Sequence, residues 1–157
     1  MIVIGIDPGL ATVGFGVIRK EENGITPVSY GCIRTSSEKQ TSERLLEIYT
    51  ETSALFEKYD PGAVAVERLF FNKNVTNAMS VSEARGVIFL AAQQKNIPLF
   101  EYTPNQIKQA ITGSGRADKK QMQEMIKRLL KLDEIPQPDD AADGLSIALC
   151  HINISRY

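Results

Sequence analysis

Acidic residues stand where apolar segments end or begin. Ile2, Val3, Ile4 and Ile6 lead into Asp7, "AVAVE" (63–67) closes on Glu67, and "DDAADG" places Asp140 and Asp143, with Asp139 beside them, at the head of a further apolar stretch. A carboxylate at the end of a buried strand is expensive to bury unless something pairs with its charge. If the strands ending at Asp7 and Glu67 are parallel neighbours, the two acids leave the sheet at one edge, about 5 Å apart by strand spacing. The crevice beyond the carboxyl ends is where open α/β sheets place their sites. Asp140 and Asp143, at i and i+3, share one helical face, one turn from its N-terminus. Each acid also has a structural role open to it: a turn residue for Asp7, a helix N-cap for Asp139 or Asp140 after Pro138, pairing with Arg68 for Glu67. Gathered together they repel, by about 4 kcal/mol for two unit charges 4 Å apart at an effective dielectric of 20. With no Lys or His in the same motifs, such a group needs a cation, and an all-oxygen donor set favours Mg²⁺ or Mn²⁺ over zinc. Carboxylates from these places suit two ions about 3.5–4 Å apart, the arrangement that splits phosphodiesters, one ion activating water and the other stabilising the leaving oxygen.

The elements that must position these acids are legible in outline. Strands are predicted over 2–7, 13–20 and 25–35, the last two joined by a hairpin turn at Asn23-Gly24, and the short turn after Asp7 makes the three an antiparallel meander. Apolar residues at Leu45, Ile48, Tyr49, Leu55, Phe56 and Tyr59 follow a helical period, ended by Pro61-Gly62. The strand 63–67, reached through that helix, should lie parallel to the first. A helix over 75–95, a strand over 97–102, a helix from Thr103-Pro104 interrupted by "GSGRAD" and resumed over 119–131, and a last helix over 140–153 complete the chain. This order predicts an α/β fold with a mixed five-stranded sheet, its first three strands antiparallel, flanked by helices on both faces. From Ala84 to Ala92 only Arg85 is polar. A helix lying on a sheet by one face should show a polar back, so either other elements of the chain cover this segment or a partner subunit does.

At 157 residues the chain is read as one domain, 1–157, with length enough for a good core. No apolar run approaches the roughly 18 residues of a membrane span, and the start lacks the basic residues of a signal peptide. Cys32 and Cys150 make no disulfide framework, which points to a reducing cytoplasm. The net charge of −1 conceals an uneven distribution: Lys108, Arg116, Lys119, Lys120, Lys127, Arg128 and Lys131 face only Asp118 and Glu124 between 108 and 131. Such a stretch suits a polyanion, or else a solvated helix face.

"GIDPGLATVGFGVI", "GCIRT", "VERLFFNKN", "EARG" and "DDAADGLSIALCH" together resemble the RuvC family of Holliday-junction resolvases, within the RNase H-like nuclease superfamily. The resemblance runs over almost the whole chain in the family's order. It implies an RNase H-like fold and a homodimeric, Mg²⁺-dependent endonuclease that nicks opposing strands of a four-way DNA junction symmetrically, in recombination and repair. It implies two Mg²⁺ per active site, with Mn²⁺ able to substitute, and branch-migration motor proteins of the same pathway as partners. By motif position the metal-binding catalytic acids are Asp7, Glu67, Asp140 and Asp143. Asp139 competes with Asp140, and the DxxD spacing and the cap role of the first Asp both favour Asp140.

The resemblance also places basic catalytic residues at Lys108 and Lys119, facing the scissile phosphate or the nearby backbone, with Lys120 adjacent. A lysine there stabilises developing charge on phosphorus oxygens. Phe70 falls where similar resolvases contact DNA at the junction; of the Phe70-Phe71 pair, one ring is expected to pack inward and the other to stack on an unpaired base, worth about 1–3 kcal/mol. Asn72 and Asn74 suit contacts to bases or backbone, or serve as turn residues. Arg116, between Gly115 and Ala117 in a glycine-bearing loop, suits a phosphate contact, and His151 is read as structural. Three other functions compete, of which a catalytically dead junction-binding scaffold has no support because all four acids are present. An actin-like ATPase also has an Asp- and Gly-bearing turn between strands, but it needs a second domain to close over the nucleotide, and no GxxxxGK[ST] loop is present. An RNase H-like nuclease acting on RNA shares the fold but not the full-length resemblance.

Overall fold

Burial on both faces makes β1 (Ile2–Asp7) an interior strand. The computed structural model describes residues 1–69 and 75–155. β2 (Thr12–Glu21) returns antiparallel beside β1, with Asp7 opposite Gly14 and Ile2 opposite Arg19, and β3 (Gly24–Arg34) continues the meander. After α1 (Thr41–Tyr59), β4 (Ala63–Glu67) runs parallel to β1 on its free side, and β5 (Leu99–Tyr102) runs parallel to β4. The sheet order is β3-β2-β1-β4-β5, the mixed sheet expected from the sequence.

Three local details differ from expectation. Gly24 already pairs with Glu21, so the hairpin loop is Glu22-Asn23 rather than Asn23-Gly24. β5 begins two residues late because Pro98 has no N–H for a ladder, although its carbonyl accepts from Val64 N at 2.9 Å. The interrupted helix is two helices, α3 (Pro104–Thr112) and α4 (Lys119–Leu129). Gly113 takes the left-handed conformation (φ 77°) and its N–H returns to the Gln109 carbonyl, closing α3. The Asp118 side chain then accepts from Gln121 N at 2.8 Å and starts α4.

Alternation along the strands sends side chains to two cores. Ile4, Ile6, Val13, Val17, Val64 and Val66 meet Ile48 and Phe56 of α1 and Ala84 and Ile88 of α2 (Val75–Gln94). Val3 and Ile18 face the other way, toward Leu145, Ala148 and Leu149 of α5 (Asp139–Ile154), with Ile111 of α3 and Ile126 of α4 completing that layer. Helices therefore cover both faces. The question raised by α2 has a divided answer: Ala84, Ile88, Ala91 and Ala92 are covered by this chain, whereas Val75, Met79 and Leu90 remain 70 %, 59 % and 53 % exposed. Among the described residues no helix is long and apolar enough to cross a membrane.

The contact that matters most for the site lies between α5 and the strands beneath it. A Cβ on Gly14 would lie 1.9 Å from the Asp140 carbonyl oxygen, one on Gly16 2.4 Å from Leu145 N, and one on Gly144 2.4 Å from the Phe15 carbonyl carbon. The helix thus rests backbone against backbone on β1 and β2. Any side chain at these positions would lift its N-terminal turn away from the edge where β1 ends.

Candidate active site

The register Ile6 opposite Val66 carries Asp7 and Glu67 out of the sheet at the same edge. The glycine contact lowers the first turn of α5 onto that edge. As a result, one carboxylate oxygen each from Asp7, Asp140 and Asp143 lies within 4.8 Å of the others. Glu67 stands outside this tight group but acts on Asp7 through its charge, and Asp143 acts on Glu67 in turn.

Metal-free, such a cluster holds protons. Burial, followed by the charges of Asp143, Glu67 and Asp140, pushes the Asp7 carboxyl up to about 8, and its proton is shared in a hydrogen bond with Asp143. Burial, followed by Asp143, raises Glu67, with Lys108 opposing. Asp143 is raised as well, mainly by burial, with Lys119 opposing. Oxygen donors that close together and that reluctant to ionise fit a hard divalent cation, whose charge would displace the proton and reverse the repulsion.

Two basic residues join the acids. A cleft of about 270 Å³ is lined by Glu67, Lys108, Lys119 and Asp143 at its polar wall and by Ile107, Met122 and Ile147 behind. Lys108 reaches the cleft from α3, whose start is fixed by a capping box between Thr103 and Gln106. Lys119 opens α4 and pairs with Asp139 at 2.8 Å, while Gln123 Nε2 donates to the same carboxylate at 3.1 Å. That pair holds Asp139 below the usual carboxylate range and Lys119 above its own. Asp139 is therefore spoken for, and the tight acidic group contains Asp140 instead. Neither Asp caps α5: Pro138 occupies the cap position, and the Ala141 N–H is bound by the Pro138 carbonyl and by the Cys32 sulfur.

The remaining expected DNA contacts are dispersed. Lys120 is exposed beside Lys119. Arg116 lines a different groove, with Gln106, Gln109 and Ile154. Phe70, Asn72 and Asn74 lie outside the described residues. His151 is fully buried against Phe100 and Tyr102 of β5, in keeping with a structural role. Reading the sequence for chemistry alone overlooked the glycine contact, the partnership of Asp139 with Lys119, and the Cys32 sulfur beside α5. The first had a visible signal, since Gly14 and Gly16 alternate on one strand face and leave it without side chains.

Comparison with known proteins places nearly the whole chain in one family and one fold. The family model described as "Crossover junction endodeoxyribonuclease RuvC" matches residues 3–151. The protein of that name from Desulfitobacterium hafniense is 54 % identical over 151 residues, covering 96 % of this chain and 92 % of the relative. That from Pseudothermotoga lettingae is 50 % identical over 159 residues, covering 99 % and 98 %. The structure of Thermus thermophilus RuvC in complex with Holliday junction substrate superposes with a TM-score of 0.94 at 35 % identity, over 99 % of this chain and 95 % of that one.

Proposed function

Because the chain belongs to the RuvC family of crossover junction endodeoxyribonucleases, we propose that Asp7, Glu67, Asp140 and Asp143 are the metal-binding catalytic acids of this enzyme. It is a Holliday-junction resolvase, a divalent-metal-dependent nuclease that acts in recombination and repair by hydrolysing phosphodiesters in opposing strands of four-way DNA. The observation that carries the assignment of the acids is the meeting of Asp7, Asp140 and Asp143 within 4.8 Å.

The ions expected there are two Mg²⁺, with Mn²⁺ as a substitute; when bound they activate water and neutralise charge on the leaving oxygen. The chain's own residues do the rest. Asp7, the acid at the centre of the group, would ionise in order to serve as a metal ligand. Asp140 and Asp143 would supply oxygen ligands from a helix whose height is set by its glycine contact, and Glu67 would add another from the end of β4. Lys108 and Lys119 flank the cleft and hold the scissile phosphate, adding positive charge where the transition state becomes more negative. Phe70 with Asn72 and Asn74 would engage the junction itself, and Arg116 and Lys120 the flanking backbone. The uncovered stripe of Val75, Met79 and Leu90 on α2 supports a homodimer, which would give two sites related by a two-fold axis and paired, symmetrical nicks. The proposal extends to branch-migration motor proteins of the same pathway as partners and to the cytoplasm as the place of action.

The test is cleavage of a labelled mobile four-way junction with Mg²⁺, beside linear duplex and RNA–DNA hybrid, by wild type and Asp7→Asn. Symmetrical nicks in the junction alone, abolished in the variant while binding persists, are expected. Hydrolysis of the hybrid, or full activity of Asp7→Asn, would overturn the reading.

A further inference from the structure

The edge strand β5 has only four residues and a single neighbour, β4, yet a polar contact grips each of its faces. Toward α2, Glu101 forms an ion pair with Arg85. Toward α5, Tyr102 Oη lies 2.7 Å from Nδ1 of His151, whose fully buried ring lies against Phe100 at 4.5 Å between centroids. Tyr102 is also linked to two elements that line the catalytic cleft. It is the register partner of Glu67, and its carbonyl accepts the N–H of Arg68 at 2.7 Å, fixing the backbone next to Glu67. It is followed by Thr103, the cap of α3, from which Lys108 projects into the cleft.

His151 belongs to the same helix as Asp140 and Asp143 and stands about 12 Å beyond Asp143 along its axis. The glycine contact limits how far α5 stands from the sheet, and Leu145, Ala148 and Leu149 pack its middle against Val3 and Ile18. The glycine seam beneath its first turns, however, adds no ridges of its own to resist sliding there. A directional bond at the far end of the helix supplies that restraint. We propose that His151 is a positioning residue: through Tyr102 it locks α5 to β5 and so sets the separation between the Asp7–Asp140–Asp143 group and the Glu67–Lys108 side of the cleft. This rests on the assignment of those acids as metal ligands.

The experiment compares Tyr102→Phe, which loses only a hydroxyl, with His151→Leu, His151→Asn and the double variant Tyr102→Phe/His151→Leu. Each is assayed well below its unfolding midpoint. Tyr102→Phe and His151→Leu are expected to bind the junction in Ca²⁺ within twofold of wild type. Their single-turnover cleavage should fall at least tenfold, with at least fivefold more Mg²⁺ needed for half-maximal rate. His151→Asn, whose amide can stand where Nδ1 was, recovers most of the rate, and the double variant is no slower than the slower single. Wild-type rate and Mg²⁺ midpoint in Tyr102→Phe, or additive losses in the double variant, would overturn the inference. The Mg²⁺-induced rise in unfolding temperature is followed in parallel with Asp7→Asn as control. Survival of that rise in Asp7→Asn would overturn the acid assignment itself, and the inference with it.

Discussion

Replacing Asp7 by Asn should stabilise the metal-free protein at neutral pH while destroying its response to metal. The Asp7 carboxyl is raised from 3.8 to about 8 in the folded chain. The folded state therefore keeps a proton that the unfolded state has released, and stability is lost as pH rises from about 4 to about 8. One pKa unit corresponds to about 1.4 kcal/mol, and most of the shift has been traversed by pH 7, so the Asp7–Asp143 pair, which titrates as a unit, costs about 4 kcal/mol there. For a chain of this size that is about 8–16 °C in unfolding midpoint. Asn keeps the shape and can still bond to Asp143, but it does not titrate. In EDTA, wild type and Asp7→Asn should thus have similar midpoints near pH 4 and diverge steadily toward pH 8, with the variant higher. Saturating Mg²⁺ should raise the wild-type midpoint, since a ligand bound only by the folded state stabilises it, and should leave the variant nearly unmoved. Parallel pH curves for the two proteins in EDTA would refute the reasoning, because they would mean that Asp7 ionises in the folded state as freely as in the unfolded one.

Metal loading releases protons, so the Mg²⁺ concentration for half-maximal cleavage should fall as pH rises from 6 toward 8 and level off above about 8, read from a metal titration at each pH. Asp139→Asn, which frees Lys119 from a surface pair, should change stability by less than about 1 kcal/mol in urea unfolding and leave the metal midpoint unaltered, whereas Asp140→Asn should raise that midpoint at least tenfold. Gly16→Ala, whose Cβ would fall 2.4 Å from Leu145 N, should cost about 1–3 kcal/mol by urea unfolding and lower the cleavage rate further than the folded fraction explains. Leu90→Glu, in the uncovered stripe of α2, should sediment as a monomer and convert paired junction nicks into unpaired ones.

The sheet was readable because its cues are local: "IVIGID" and "AVAVE" are too short and too apolar to be surface helices, and a helix between them requires a parallel crossover. The placing of the acids at element ends was readable for the same reason, each closing or opening an apolar run. What could not be read was how far α5 would descend onto the sheet. Apolar periodicity marks the face of a helix but not its height, and the height here depends on Gly14, Gly16 and Gly144 meeting without side chains. Asp139 and Asp140 are adjacent in sequence; the spacing to Asp143 favours Asp140, and the three-dimensional arrangement turns Asp139 toward Lys119 and Gln123. The start of β5 was misplaced because Ile97 continues the apolar pattern while Pro98 breaks the ladder.

The backbone contact beneath α5 also has a consequence for how such a sequence can vary. A core isoleucine has alternatives of similar volume, and such exchanges usually cost less than about 1.5 kcal/mol. Gly14, Gly16 and Gly144 have none, since every replacement adds at least a Cβ where main-chain atoms already lie within 2.6 Å. In a saturation-mutagenesis scan selected for junction cleavage, these three positions should therefore be depleted as completely as the carboxylates they support. They would look catalytic, although each lacks the side chain with which to do chemistry.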